Sequence, residues 1–132
     1  MEVFMEYIIP CNTKYYNVSG VMSNLKIVDW KQTNKNIEIC DIVYLYIGNP
    51  ISEIKYKCKV NKVNLPFCEI DDTKYVKNGE VFERYGNYME IEFLKEYPDG
   101  YCTIKKMRDI GTKGNIQSQR TAPEELADYL DK

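Results

Sequence analysis

The sequence predicts an α+β domain: a small, strongly curved, partly open β-barrel of five or six short, mostly antiparallel strands with short flanking helices. Three observations lead there. A chain of 132 residues suffices for one core and not for two, so residues 1–132 are read as a single domain. Two central runs alternate apolar and polar residues with a period of two, the signature of half-buried strands. Turn residues punctuate the chain between short apolar runs, without the alternating helices of a parallel α/β sheet.

The elements follow in order. Residues 6–11 (EYIIPC) form a short apolar strand that turns at Pro10, and residues 12–14 make a polar turn. A short helix then sets Val18, Val21, Met22 and Leu25 on one face, weakened by Gly20. Residues 26–32 lead through Trp30 into a polar loop at residues 33–36. In residues 41–47 (DIVYLYI), Val43, Leu45 and Ile47 alternate with Tyr44 and Tyr46 until Gly48-Asn49-Pro50 stops the strand. Residues 54–60 (IKYKCKV) place Ile54, Tyr56, Cys58 and Val60 opposite Lys55, Lys57 and Lys59, and pair antiparallel with the preceding strand. Asn78-Gly79 marks a tight turn. Residues 88–94 form the next strand, and Pro98-Asp99-Gly100 turns it into a hairpin partner at residues 101–107. A final helix begins after Arg120, with Thr121 placed to cap it, Pro123 in its first turn and Glu124 and Glu125 at its positive end; Leu126, Tyr129 and Leu130 are its apolar side.

Composition excludes several function classes. There is no histidine, which removes Ser-His-Asp and Cys-His catalysis and His-based zinc sites. The five cysteines, Cys11, Cys40, Cys58, Cys68 and Cys102, contain no CxxC, so they read as reduced thiols rather than a metal ribbon or disulfide framework. No GxGxxG or GKS/T motif supports a nucleotide cofactor, and no cofactor or metal is expected. No apolar run approaches a membrane span and no secretory signal opens the chain, so the expected compartment is the cytoplasm. A net charge of −2 excludes a histone-like grip on nucleic acid but permits a local basic groove. The twelve tyrosines and single tryptophan suit strands, interfaces and base stacking alike.

Ordered blocks give the chain a recognisable look: YIIPCNTKYY at residues 7–16, VDWKQT at 28–33, CDIVYLYIGNP at 40–50, IKYKCKVNKVNLP at 54–66 and GTKGNIQSQRTAPEELADYL at 111–130. Together they resemble the EVE domain of the PUA-like superfamily, which also includes ASCH and YTH domains, and in particular EVE-like modules beside HNH nuclease domains of bacterial restriction proteins. The resemblance implies a curved barrel whose cleft receives a flipped, often modified, nucleobase. It assigns Trp30 to a wall of that cage, with Tyr46 as a second aromatic. Cys11 and Asn12 would floor the pocket and hydrogen-bond the base edge, while Lys31 and Gln32 would offer a backbone and a side-chain amide. Each has a plainer reading: a core indole, a tyrosine under the last helix, an Asx turn, a solvated loop. Two departures stand out: Cys40 replaces the glycine of a Gly-Asp turn, and Ser118-Gln119 replaces a Gly-Pro pair.

Phosphate contacts need cations. Residues 105–120 hold Lys105, Lys106, Arg108, Lys113 and Arg120 against the single acid Asp109, a balance of +4, and the lysines of residues 55–59 add a basic strand. Lys105, Lys106, Lys113 and Arg120 are the expected phosphate ligands. Residues 80–99 carry six acids against two basic residues, −4, so the expectation is a molecule basic at the cleft and acidic behind it. The resemblance implies as partner DNA bearing 5-methyl- or 5-hydroxymethylcytosine, bound without catalysis in a restriction or defence system whose nuclease is fused or acts in trans. Three alternatives stay open: an RNA-binding PUA-like module, an ASCH-type enzyme on nucleosides or amides using Lys14, Asp29 or Lys31, and a tyrosine-rich protein-interaction module.

Overall fold

Residues 5–11, 17–48, 50–67, 85–114 and 116–131 are described in the computed structural model of the chain. The elements are β1 (Glu6–Cys11), α1 (Val18–Asn24), β2 (Ile27–Lys31), β3 (Ile42–Ile47), β4 (Glu53–Phe67), β5 (Tyr85–Glu96), α2 (Ile104–Ile110), β6 (Arg120–Thr121) and α3 (Glu124–Leu130). One mixed sheet holds all six strands in the order β2-β5-β4-β3-β1-β6. Among the described strands, only the β1–β3 pair is parallel.

This sheet is rolled. Laid flat, its two edge strands would stand about 24 Å apart, five strand spacings. Yet the side-chain amide of Gln119, one residue before β6, donates to the Lys31 carbonyl at the end of β2 across 2.7 Å. The edges therefore come together without a backbone ladder between them, which is the partly open barrel the sequence predicts. Register shifts recur along the β4–β5 pair between Lys57 and Phe67. Such irregularities bend a strand and sharpen its twist, which curls the sheet.

Each face of the sheet carries its own core. On the first face Val28, Val43, Leu45, Cys58, Met89 and Ile91 are all fully buried, with Val18 and Met22 of α1 packed on them. On the second, Ile8, Tyr44, Tyr46 and Ile54 pack under Met107 of α2 and Leu126 and Leu130 of α3. β3 is thus buried on both sides: its aliphatic residues fill one core and its tyrosines the other. The expected alternation of β4 breaks at one point. Leu45 faces Tyr56 while its neighbour Tyr46 faces Ile54, so Lys55 is an extra residue and Ile54 turns to the face opposite Tyr56.

Three expectations are corrected. The predicted hairpin partner at residues 101–107 is instead a turn leading into α2. Thr103 caps that helix, accepting from Lys106 N, and Gly111 ends it in the left-handed conformation at φ 116°. Ile104, Met107 and Ile110 recur every three residues, so a helical period was present beneath the apparent strand. Thr121 does not cap α3 but pairs with Tyr7 in β6; Pro123 holds the cap position with no side-chain bond. Finally, β4 and β5 run 15 and 12 residues, longer than the hydrophobic runs that signalled them. The Asn78-Gly79 turn lies outside the described residues.

The turn before β3 explains the unusual Cys40. The residue sits at φ 75°, in the left-handed region that favours glycine. Its N–H donates to Val60 O at 2.8 Å, and Val60 N–H donates back to Asp41 O at 2.9 Å. The buried Asp41 carboxylate accepts from Met5 N and Glu38 N, fixing the turn from inside.

A candidate base-binding seam

β2 sets the alternation that governs the site. Val28, Trp30 and Gln32 project to one face, Asp29 and Lys31 to the other, because successive strand side chains point oppositely. Val28 is sealed in the first core, and Trp30 packs against the same core while remaining partly exposed. Its cross-strand neighbour is the fully buried Met89. The indole therefore has an apolar backing and an accessible portion at an edge strand.

Gln32 is 3% exposed, and its amide is engaged in the fold. Its Oε1 accepts from Asn64 N at 2.9 Å, and its Nε2 donates to Asn34 O at 3.1 Å and Asn64 Oδ1 at 3.4 Å. Asn64 has φ 56° and lies among the β4–β5 register shifts, so the side chain satisfies a backbone N–H where the ladder is irregular. Gln32 thereby ties the end of β2 to β4.

Gln119 ties the same loop to the other edge of the sheet. Its Oε1 accepts from Thr33 N at 3.0 Å and Asn34 N at 3.2 Å, while Nε2 reaches Lys31 O. Next to it, the Arg120 guanidinium donates to Lys113 O at 2.9 Å. The Lys31 carbonyl, Gln119 and the Arg120 guanidinium, itself bonded to Lys113 O, thus meet at one seam between β2 and β6, next to Trp30 in the chain. Gln119 was legible in the sequence only as a departure from a Gly-Pro pair; nothing local announced its amide as a tie across the barrel.

Other expected site residues go elsewhere. Cys11 is 5% exposed and faces the same core as Trp30. Asn12 lies outside the described residues, as does Lys14. Tyr46 does not join Trp30: it is buried in the core on the opposite face, because β3 is covered on both sides. Lys105 and Lys106 are exposed on α2. Lys106 sits 5.2 Å over the Tyr129 ring, in an open groove of about 440 Å³ that Glu125 and Asp128 also line. Two carboxylates there oppose a phosphate, so Lys106 is not part of the seam's positive charge.

The predicted basic strand is also largely neutralised. Lys55 is buried, its ammonium bonded to Tyr97 O at 3.0 Å and to Asp99, with Glu53 at 3.7 Å. Burial alone would lower its proton affinity, but the Asp99 hydrogen bond and the charges of Asp99, Glu53 and Glu96 outweigh that and raise it. Lys57 pairs with Asp131 at 2.9 Å.

Tyrosine abundance is largely structural. Tyr97 Oη donates to Leu130 O at 3.0 Å and Tyr101 Oη to Tyr129 O at 2.9 Å, so two hydroxyls receive C-terminal carbonyls of α3, while Tyr44 Oη donates to Glu6 Oε1 at 2.9 Å. Tyr97, Tyr101 and Tyr129 stack in series, with centroids 5.6 and 4.7 Å apart. Among the thiols, burial pushes Cys58 up to about 12 and Cys102 up to about 11, far from a thiolate at neutral pH. Cys68 lies outside the described residues. Among the described residues, no group of three or more Cys, Asp or Glu could hold a metal ion, and no helix is long and apolar enough to cross a membrane.

No family model and no curated protein matches the sequence. Solved structures do match in shape. An ASCH protein from Zymomonas mobilis has a TM-score of 0.64 at 10% identity, over 96% of this chain and 94% of that one. A Pseudomonas putida protein has a TM-score of 0.66 at 8% identity, over 96% and 97%. A Rhodopseudomonas palustris protein solved by NMR gives 0.55 at 10%, over 94% and 88%. At such identities the likeness establishes the fold, which is the PUA-like fold of ASCH domains. It singles out neither the EVE branch nor a nuclease neighbour.

Proposed function

We infer that this chain is a non-catalytic nucleic-acid-binding module that receives one unstacked base against Trp30, at the seam between the two sheet edges. The observation that carries this reading is the Gln119 tie, which holds the loop after Trp30 beside Arg120, whose guanidinium is bonded to Lys113 O. Extruding a base costs a few kcal/mol, and stacking on an aromatic ring returns about 1–3 kcal/mol. Lys113 and Arg120 supply the phosphate contacts from which most of the remaining affinity comes. The PUA-like fold agrees with a cleft of this kind. Against an enzyme, Asp29 and Lys31 project away from the Trp30 face, and the buried Cys58 and Cys102 thiols are protonated.

The preferred ligand is duplex DNA carrying 5-methyl- or 5-hydroxymethylcytosine, in a restriction or defence setting with a nuclease fused or in trans. Titrating the protein with matched duplexes, unmodified or bearing one modified cytosine or adenine, and with single-stranded RNA of the same sequence tests it. The reading expects the modified-cytosine duplex to bind most tightly, with affinity falling steeply as salt rises. Tighter binding to the RNA would replace the DNA assignment, and no binding to any of them would overturn the function.

A further inference from the structure

We propose that Gln119 is a positioning residue: a side-chain latch that stands in for the missing ladder between β2 and β6 and fixes the loop following Trp30 in its binding shape before any ligand arrives. This rests on the reading of the seam as a nucleic-acid site but is tested separately from it.

A primary amide carries a donor and an acceptor on one planar group, as a peptide unit does. Gln119 uses both: Nε2 donates to Lys31 O, and Oε1 accepts from Thr33 N and Asn34 N. One side chain thus makes the kind of exchange that a strand makes with its neighbour, between the two edge strands of the rolled sheet. Gln32 holds the same loop from the opposite side, through Asn64 of β4 and through its own N–H to Asn87 O at 2.8 Å. The loop is therefore clamped between two glutamine amides, one buried and one at the surface. The buried clamp belongs to the core; the surface one can be removed without opening the interior.

Holding the loop in advance spares the ligand the cost of ordering it, so the latch should act on affinity more than on stability. Each hydrogen bond is worth about a fivefold change in an equilibrium constant.

The test compares wild type, Gln119→Ala and Gln119→Glu by thermal melting, amide hydrogen exchange and oligonucleotide titration. In Gln119→Ala the Thr33 and Asn34 amides are expected to exchange at least about fivefold faster. The Gln32 backbone N–H, bonded to Asn87 O, keeps its protection, and the melting midpoint moves little. Gln119→Glu retains the acceptor and loses the donor, so it should restore protection at Thr33 and Asn34 while affinity for the modified-cytosine duplex stays reduced. Unchanged exchange at Thr33 and Asn34 in the alanine variant overturns the latch, as does an equal loss of protection at Gln32. If the wild type binds no nucleic acid, the function falls while the exchange measurement still decides the latch.

Discussion

Replacing Cys40 with glycine should stabilise the protein, although it deletes a side chain. Cys40 is held at φ 75° by two hydrogen bonds with Val60 and Asp41, at 2.8 and 2.9 Å, so the turn cannot relax to a more comfortable conformation. A residue with a Cβ in the left-handed region pays about 1–2 kcal/mol. Glycine removes that strain but adds about 0.5–1 kcal/mol of freedom to the unfolded chain. The balance is a gain of about 0.5–1 kcal/mol, which for a domain of this size raises the melting midpoint by about 2–4 °C. Cys40→Ala is the control, since it loses the thiol but keeps the strained φ; it should melt at or slightly below the wild type. Calorimetry or thermal melting by circular dichroism in the presence of a reductant reads the difference. If Cys40→Gly melts at or below Cys40→Ala, the turn is not strained and the reasoning is refuted.

Two further outcomes follow from buried groups. Glu6 is held above the usual carboxylate range, first by burial and then by Asp131 and Asp128, although the Tyr44 hydroxyl and Lys57 oppose this. The folded state therefore binds the proton more tightly than the unfolded chain, and stability falls as pH rises through the window that begins near 4.5. Glu6→Gln keeps an acceptor for Tyr44 Oη, so its stability relative to wild type should grow from pH 4 to pH 7, and a difference that stays flat in denaturant titrations would contradict this. Iodoacetamide applied to the folded protein at about pH 8 should label the half-exposed Cys40 well before Cys58 or Cys102, whose thiols burial keeps protonated. Peptide mass mapping showing all three labelled together would refute it.

Much of the fold was legible because it rests on local signals. The apolar run of β1, the alternation of β3 and the acidic first turn of α3 each carry their own period or charge cue. What was illegible arises from contacts distant in sequence. Nothing near Tyr46 says that helices 60 to 80 residues later will cover its face, so a tyrosine opposite an aliphatic stripe read as facing a cleft. The lysines of β4 looked like a solvated basic face until Asp99 and Asp131, from other elements, came to meet two of them. In α2 the helical signal was present but short, and Tyr101, Cys102 and Thr103 gave it a strand-like start; Thr103 as cap and Gly111 as stop were the decisive cues. Trp30 was singled out as the only tryptophan in a polar neighbourhood, and the structure leaves it partly exposed on an apolar backing. Its partner in forming the seam, Gln119, acts across 88 positions of sequence, and no local pattern encodes such a tie.

The central claim is that a base stacks on Trp30, and the lone indole reports on this itself. Its fluorescence should be followed while the protein is titrated with a duplex carrying one 5-methylcytosine, with binding monitored in parallel by the anisotropy of a label on the DNA. Stacking predicts strong quenching that saturates at the same DNA concentration as the anisotropy. Anisotropy that saturates while the Trp30 emission stays unchanged would contradict the account.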